Sequence, residues 1–397
     1  MPKTNLINKL LVLIATGMPG LQKLIIFLII EIFFGIVILG KFSNDFYIIQ
    51  LIIIFNAIGL SGLILVKIPK LDESEKKIFM NKILWTYLIL TFISFFLLLI
   101  LEQVSLIYTS FYSFILLISI GLNLLLRHFY LSSREYREIL SLDLFVIFIF
   151  LICFNFVQNV FLLVIVSYFL STILFLVKCN FFSFLKFLKK NDFINSLNIS
   201  FLNLLTGGVY LIFTPLVNFK LGVSYSAFFG IIFIVASIVV LIPMALSLYY
   251  LPIMSKNVLN NEIFKKIYRN FEMMNYLSLV VLFLLSIFIY YVLSRFILIE
   301  LFSVDNSFVL FLLFVTSMIT SKLSLPISNV YLSHEKTFLM TKTNIKIILF
   351  NLICFVSLSL TIIDNLLFIE IFLLCITLGN VFRIVNLKKN LKKEKIL

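Results

Sequence analysis

Charged residues are scarce in this chain of 397 residues, because only 13% of its positions are Asp, Glu, Lys or Arg. A soluble domain carries about 25% charged residues. The polar groups are therefore too few to cover the surface of a soluble protein of this length. Glycine and proline are also scarce, at 12 and 7 residues, which excludes a collagen-like or low-complexity chain.

Cysteine and histidine are rarer still and lack the spacing that a metal or redox centre needs. The 4 cysteines form no C-x-x-C pair, and neither of the 2 histidines, His128 and His334, has the set of partners that a metal ion or a nucleophile requires. We therefore expect no metal, no cofactor and no catalysis at either histidine.

Hydrophobic residues dominate instead, at 62% of the chain, with 16% aromatic residues. A membrane span needs roughly 20 apolar residues. Apolar runs bounded by charges or turn residues cover 10–39, 46–66, 79–101, 104–126, 139–157, 160–177, 197–219, 227–251, 275–298, 307–332, 343–363 and 366–385. The sequence thus predicts an all-α polytopic membrane protein with about 12 transmembrane helices.

The positive charges indicate the orientation of these spans. Most of the 32 Lys and Arg residues fall in alternate connections between the runs, and in the segments before the first run and after the last. By the positive-inside rule, both termini are expected in the cytoplasm. The net charge of +14 therefore reports orientation, and we expect no nucleic-acid partner.

Short sequence matches six spans apart indicate an internal duplication. They are Leu39-Gly40 with Tyr47 and Leu221-Gly222 with Phe229; Pro69 and Pro252; and Tyr130-Leu131-Ser132 and Tyr331-Leu332-Ser333. Because six is even, the two halves keep the same orientation and are related by a pseudo-two-fold axis along the membrane normal.

The duplication predicts a specific domain organisation. We expect a six-helix lobe over 1–178, a basic cytoplasmic linker over 179–196, a second six-helix lobe over 197–386 and a basic cytoplasmic tail over 387–397. Transporters built from two such lobes bind substrate in a central cavity between them and work by alternating access.

Three charged residues inside the predicted spans are candidates for function. Lys23 and Glu31 lie on the first span, about 12 Å apart along a straight helix, and Lys322 lies on the tenth. Each costs roughly 2.5–3.5 kcal/mol to insert, so it is expected to face a cavity or a partner. We interpret the lysines as anion contacts and Glu31 as a proton or cation site. The alternative is that Lys23 extends to the cytoplasmic headgroups and Glu31 pairs with another helix.

Polar residues at helical spacing form stripes on the fourth, seventh and tenth spans. Glycine or proline interrupts the last two of these, as expected of helices that line a substrate cavity. The alternative is that these residues only hydrogen-bond helices together. The substrate-binding candidates, besides Lys23 and Lys322, are Arg127, Asn203, Tyr210, Thr214 and Ser321.

The sequence resembles the polysaccharide (O-antigen-type) flippases of the multidrug/oligosaccharidyl-lipid/polysaccharide exporter superfamily. Those proteins have a leucine-glycine pair after the first span, then a short loop and an aromatic residue, as in Leu39-Gly40 and Tyr47. The chain departs from them at Asp45 and Ala227, where a glycine is usual. Two further features agree with the family at the ends of the eighth and tenth spans: Pro252 with Ser255, and the polar-basic segment from Asn329 to Lys346.

The resemblance implies movement of an undecaprenyl-pyrophosphate-linked oligosaccharide from the cytoplasmic to the outer leaflet of the bacterial plasma (inner) membrane. Pyrophosphate needs cationic partners, which Lys23 and Lys322 would supply. Counter-transport of H⁺ or Na⁺ would return the carrier, with Glu31 as the acidic candidate. The expected partners are the lipid-linked oligosaccharide, membrane lipids, H⁺ or Na⁺, and a glycan polymerase with its chain-length regulator.

Two other functions stay open at this point. A membrane polysaccharide polymerase handles the same lipid-linked sugars, but we expect such an enzyme to have a large external loop with Arg or His. Here the external connections are short, and Arg295 is the one arginine in them. A drug or cation exporter of the same superfamily is the other alternative. We expect a transporter and not an enzyme.

Overall fold

The computed structural model describes residues 4–133, 135–179, 186–334 and 337–393, and these consist of helices and their connections. The chain divides into two compact units, Met1–Gly230 and Ile231–Leu397. The predicted lobes divide instead at the linker 179–196, and those boundaries stay a prediction.

The first unit contains ten helices and the beginning of an eleventh. They are α1 (Thr4–Phe34), α2 (Ile36–Ile53), α3 (Gly59–Lys67), α4 (Glu73–Gln103), α5 (Ser110–Ser132), α6 (Tyr136–Cys153), α7 (Val160–Cys179), α8 (Lys190–Asn203), α9 (Val209–Leu211) and α10 (Phe213–Leu221). π-helical turns at Ile54–Ile58 and Leu204–Gly208 join α2 to α3 and α8 to α9.

The second unit begins within α11 (Val223–Lys256). It continues with α12 (Asn261–Val292), α13 (Ser307–Lys322), α14 (Leu325–Ser333), α15 (Thr337–Ser359) and α16 (Asn365–Lys393). A hydrophobic cluster packs α11, α12, α14, α15 and α16 together around Phe271 and Tyr331.

Ten helices or helix runs in the described part of the chain are long and apolar enough to cross a membrane. The other two predicted spans are helical as well. The fifth is α6, which carries Arg137, Glu138 and Asp143 along its length, and the seventh is the interrupted run from α8 to α10. The prediction of an all-α, multi-span membrane protein is therefore confirmed.

The connection between the first two spans differs from the prediction. The predicted first span extends to residue 39, but α1 ends at Phe34 and α2 begins at Ile36. Gly35 makes this one-residue turn with a φ of 84°, a conformation that glycine adopts without steric cost. Leu39 and Gly40 consequently lie inside α2 and not after the first span.

The interruption of the tenth span has a local cause and a distant partner. Pro326, near the start of α14, has no N–H to donate to the Lys322 carbonyl four residues earlier. Asn275 on α12 supplies the missing donor, because its Nδ2 lies 3.2 Å from that carbonyl oxygen. A proline fixed by sequence is thus compensated by a side chain from a neighbouring helix.

Replacing Asn275 with Ala is expected to lower the free energy of unfolding by about 1 kcal/mol, because the Lys322 carbonyl loses its donor in an apolar setting. Detergent-to-SDS unfolding followed by circular dichroism measures the change. Ser278→Ala is the matched control on α12, since the Ser278 hydroxyl bonds the carbonyl of Asn275 in its own helix at 2.8 Å. Equal stability of the two variants would contradict this role of Asn275.

Candidate functional site

An ion pair lies among the helices of the first unit. The Nε of Arg127 on α5 is 3.1 Å from Oδ2 of Asp143 on α6. The Arg127 side chain is 16% exposed and that of Asp143 is fully buried. A charge within a span is costly, so the pairing of these two opposite charges offsets part of the insertion cost of each.

Helix α1 is bonded to the same pair. Nε2 of Gln22 donates to the Asp143 backbone carbonyl at 2.6 Å, and the Arg127 guanidinium donates to the carbonyl of Ala15. Oδ1 of Asp143 is buried without a hydrogen-bond partner among the described residues. The arrangement joins α1, α5 and α6 through two residues of opposite charge.

Lys23 follows Gln22 and is the second cation of this region. Its Nζ lies 5.5 Å from the ring centroid of Phe46 on α2, a cation–π distance. Within the described part of the chain no carboxylate reaches within 4.0 Å of this ammonium group. Lys23 also lies close enough to Arg127 for electrostatic repulsion. The predicted anion contact thus retains a positive charge that an anionic group could neutralise.

Glu31 lies two turns beyond Lys23 on α1. It is half-buried and takes part in an interaction with another group. Its backbone carbonyl accepts a hydrogen bond from Gly35 at 3.0 Å, which closes the end of the helix. Its role in ion coupling stays a prediction.

The polar residues of the seventh span have different surroundings. Nδ2 of Asn203 donates to the carbonyl of Ile199 in the same helix at 2.9 Å. Tyr210 and Thr214 are buried at 4% and 1% exposure. Farther along, Asn218 and the Tyr108 hydroxyl bond each other, with Nδ2 and Oη 3.1 Å apart. These contacts join neighbouring helices or satisfy a helix locally, and a substrate role for Asn203, Tyr210 and Thr214 stays a prediction.

The second unit contains a comparable pair of cations. Lys322 is the last residue of α13, and Arg383 on α16 is buried close enough to repel it electrostatically. Asn380, one turn before Arg383, joins the same two helices by donating to the Ser317 carbonyl at 3.0 Å. The hydroxyl of the predicted contact Ser321 is buried and donates to the carbonyl of Met318 at 2.7 Å.

Sequence reasoning missed Asp143 and Arg383 as functional candidates. Asp143 lies inside the predicted span 139–157, so the rule that drew attention to Lys23 would also have found it. Arg383 is within the predicted span 366–385, but its place near the end of that run groups it with the lysines of the basic tail. The available signal in both cases was the position of a charged residue inside an apolar run.

The histidines have local partners in the structure. Nδ1 of His128 lies 2.8 Å from the Leu124 carbonyl oxygen, and Nδ1 of His334 lies 2.9 Å from that of Val330. Across the described ranges, no group of three or more His, Cys, Asp or Glu side chains is placed to hold a metal ion.

Comparison with solved structures identifies the fold. An outward-facing multidrug resistance transporter of the MATE family, in the MOP superfamily, has 13% sequence identity and a TM-score of 0.56 over 98% of this chain and 94% of its own. The MATE multidrug transporter DinF-BH in complex with a rhodamine dye gives 15% and 0.57 over 98% and 96%. The MATE transporter ClbM in complex with Rb⁺ gives 15% and 0.52 over 95% and 93%.

No protein-family model matches the chain, and no curated protein sequence matches it either. At these identities the likeness establishes the fold alone. That fold is the MATE transporter fold with two lobes of six helices, and it confirms the predicted architecture. The polysaccharide-flippase branch of the superfamily, to which the sequence motifs point, stays a prediction.

Proposed function

We propose that this protein is a membrane transporter that moves an anionic amphiphile by alternating access. The fold supports transport, because the similar structures are transporters along almost their whole length. The observation that carries the choice of substrate charge is the position of Lys23 and Lys322, one cation within a span of each unit. Each has a second cation nearby, Arg127 or Arg383, and such pairs favour a negatively charged substrate.

Two substrate classes compete within this proposal. The comparisons favour drug export, since two of the similar proteins are multidrug transporters and one binds a rhodamine dye. The in-span cations and the sequence motifs favour a lipid-linked oligosaccharide, whose pyrophosphate would contact Lys23 and Lys322. We propose the oligosaccharide as the specific substrate and drug export as the alternative.

The other candidate residues have secondary roles in the proposal. Asn203, Tyr210, Thr214 and Ser321 would contact the sugar or line its path, and Arg127 would contribute positive potential while bonded to Asp143. ClbM binds Rb⁺, which supports coupling to a monovalent cation, here H⁺ or Na⁺ at Glu31. We further propose residence in the bacterial plasma membrane with both termini cytoplasmic, beside a glycan polymerase and its chain-length regulator.

Lys23→Ala and Lys322→Ala are each expected to lower glycan export at least about tenfold, because a hydrogen bond between charged groups is worth about 1.5–3 kcal/mol. Surface glycan in cells that lack the chromosomal gene measures the effect, with protein level checked by immunoblot. Lys23→Arg and Lys322→Arg should keep most of the activity. Lys41→Ala is the matched control, because Lys41 is exposed and faces the Tyr108 ring at 5.5 Å.

A rhodamine-efflux assay on the same variants separates the substrate classes. Full glycan export by both alanine variants at normal protein level would contradict the anion-contact role. Efflux of the rhodamine dye by the unaltered protein, in cells whose surface glycan does not depend on it, would replace the oligosaccharide by a drug as substrate.

A further inference from the structure

An apolar groove lies between α12 and α13 in the second unit. It encloses about 450 Å³, a volume typical of ligand pockets. It is lined by Tyr276, Leu279, Val280, Phe283 and Leu284 on α12 and by Thr316, Ile319 and Leu323 on α13. The α12 residues recur at steps of three and four, so they form one helix face about 12 Å long.

The groove is polar at one end only. The hydroxyl of Tyr276 donates to Oε1 of Glu272 at 2.8 Å. The Nζ of Lys388 on α16 lies 3.2 Å from the same oxygen and 3.5 Å from the tyrosine hydroxyl. The Lys388 side chain is 46% exposed, so its ammonium group can reach a further anion.

Two more cations continue the same face of α12 toward the cytoplasm. Arg269 and Lys265 lie seven and eleven residues before Tyr276, which places them on its side of the helix, and both are exposed. Glu272 is the one acidic residue among these positions of the face, so the net charge beyond Tyr276 is positive.

The other end of the groove faces the hydrocarbon of the membrane. Val280 and Leu284 are 60% and 62% exposed on a helix that is long and apolar enough to span. Tyrosines such as Tyr276 are common at the membrane–water interface. The groove thus has cations at the cytoplasmic interface and an apolar channel that extends from there toward the bilayer centre, as a lipid of the cytoplasmic leaflet does.

We propose that this groove binds one anionic phospholipid of the cytoplasmic leaflet, with its headgroup at Lys388 and an acyl chain along α12 and α13. Thr316 and Tyr276 contribute the hydroxyls of the lining, which suits a hydrocarbon chain and offers no path for a glycan headgroup. The proposal is independent of whether the transported substrate is a glycolipid or a drug.

Quenching of a tryptophan by brominated lipids tests the proposal in the full-length protein. The chain has 1 tryptophan, Trp85, which is replaced by Phe. A new tryptophan is placed in the groove as Phe283→Trp, or on its exposed rim as Val280→Trp should the first variant fail to fold. Phe288→Trp, on the same helix but outside the lining and 63% exposed, is the matched control.

In reconstituted vesicles, brominated phosphatidylglycerol should quench the groove tryptophan at a mole fraction about fivefold lower than brominated phosphatidylcholine, the factor expected for one lysine at the headgroup. The control tryptophan should respond equally to both lipids. Lys388→Ala should abolish the preference, and Lys389→Ala, which alters the adjacent exposed lysine, should leave it.

Equal quenching of the groove tryptophan by the two lipids would overturn the proposal. So would displacement of the brominated phosphatidylglycerol by undecaprenyl pyrophosphate but not by unlabelled phosphatidylglycerol, because the groove would then belong to the carrier lipid. An unchanged preference in the Lys388→Ala protein would remove the assigned headgroup position.

Discussion

Replacing Asp143 with Leu is expected to lower the free energy of unfolding by about 3–5 kcal/mol, the usual cost of removing one partner of a buried ion pair. The loss arises because the Arg127 guanidinium stays within a span without its counter-charge. The Gln22 hydrogen bond is directed to the backbone carbonyl of residue 143 and so survives the change. Equilibrium unfolding from detergent into SDS measures the difference.

The double variant Arg127→Met, Asp143→Leu separates the ion pair from simple packing. It is expected to recover most of the lost stability, because the charge that lacks a partner is removed as well. A double variant that is as unstable as the sum of the two single changes would show that the two side chains act independently, which contradicts the pairing.

Replacing Asp45 with Ala is expected to cost about 2–3 kcal/mol of stability, because this carboxylate holds the beginning of α5. Its oxygens accept from the backbone N–H of Tyr108 at 3.0 and 3.1 Å and from that of Thr109 at 3.2 Å. A negative charge at this position also interacts favourably with the N-terminal end of the α5 dipole. Asp45→Asn keeps one acceptor oxygen and should lose about half as much.

Asp72→Ala is the matched control for Asp45. Asp72 caps α4 in a capping box with Glu75, but it is exposed, so its loss should cost only about 1 kcal/mol. Similar losses at Asp45 and Asp72 would contradict the importance of burial. The Asp45 contacts also explain why the chain departs from the flippase pattern here: the aspartate bonds a distant loop, which a glycine has no side chain to do.

The position of Lys23 shows how far the sequence alone could lead toward the site. An isolated charge in an apolar run was sufficient to select Lys23 and Lys322, because insertion cost depends on the residue itself. The same rule applied to every run would have selected Asp143 and Arg383. It could not have told which charges are paired, since pairing depends on how neighbouring helices are rotated and shifted.

The polar stripe of the seventh span illustrates the limit for uncharged residues. Its spacing predicted one helix face, but Asn203 bonds its own helix while Asn218 bonds Tyr108. A hydroxyl or an amide can satisfy a neighbour, its own backbone or a substrate. Helical spacing is the same in each case, so the pattern does not distinguish between these roles.

By itself the sequence determined that this protein is an all-helical membrane protein, where its spans lie and that Pro326 interrupts the tenth. These features follow from the composition and geometry of short segments. Only the tertiary structure decided that Arg127 meets Asp143, that Asp45 holds the start of α5 and that Asn275 compensates Pro326. Each of those contacts joins residues from different helices, and the packing of side chains between helices sets which of them meet.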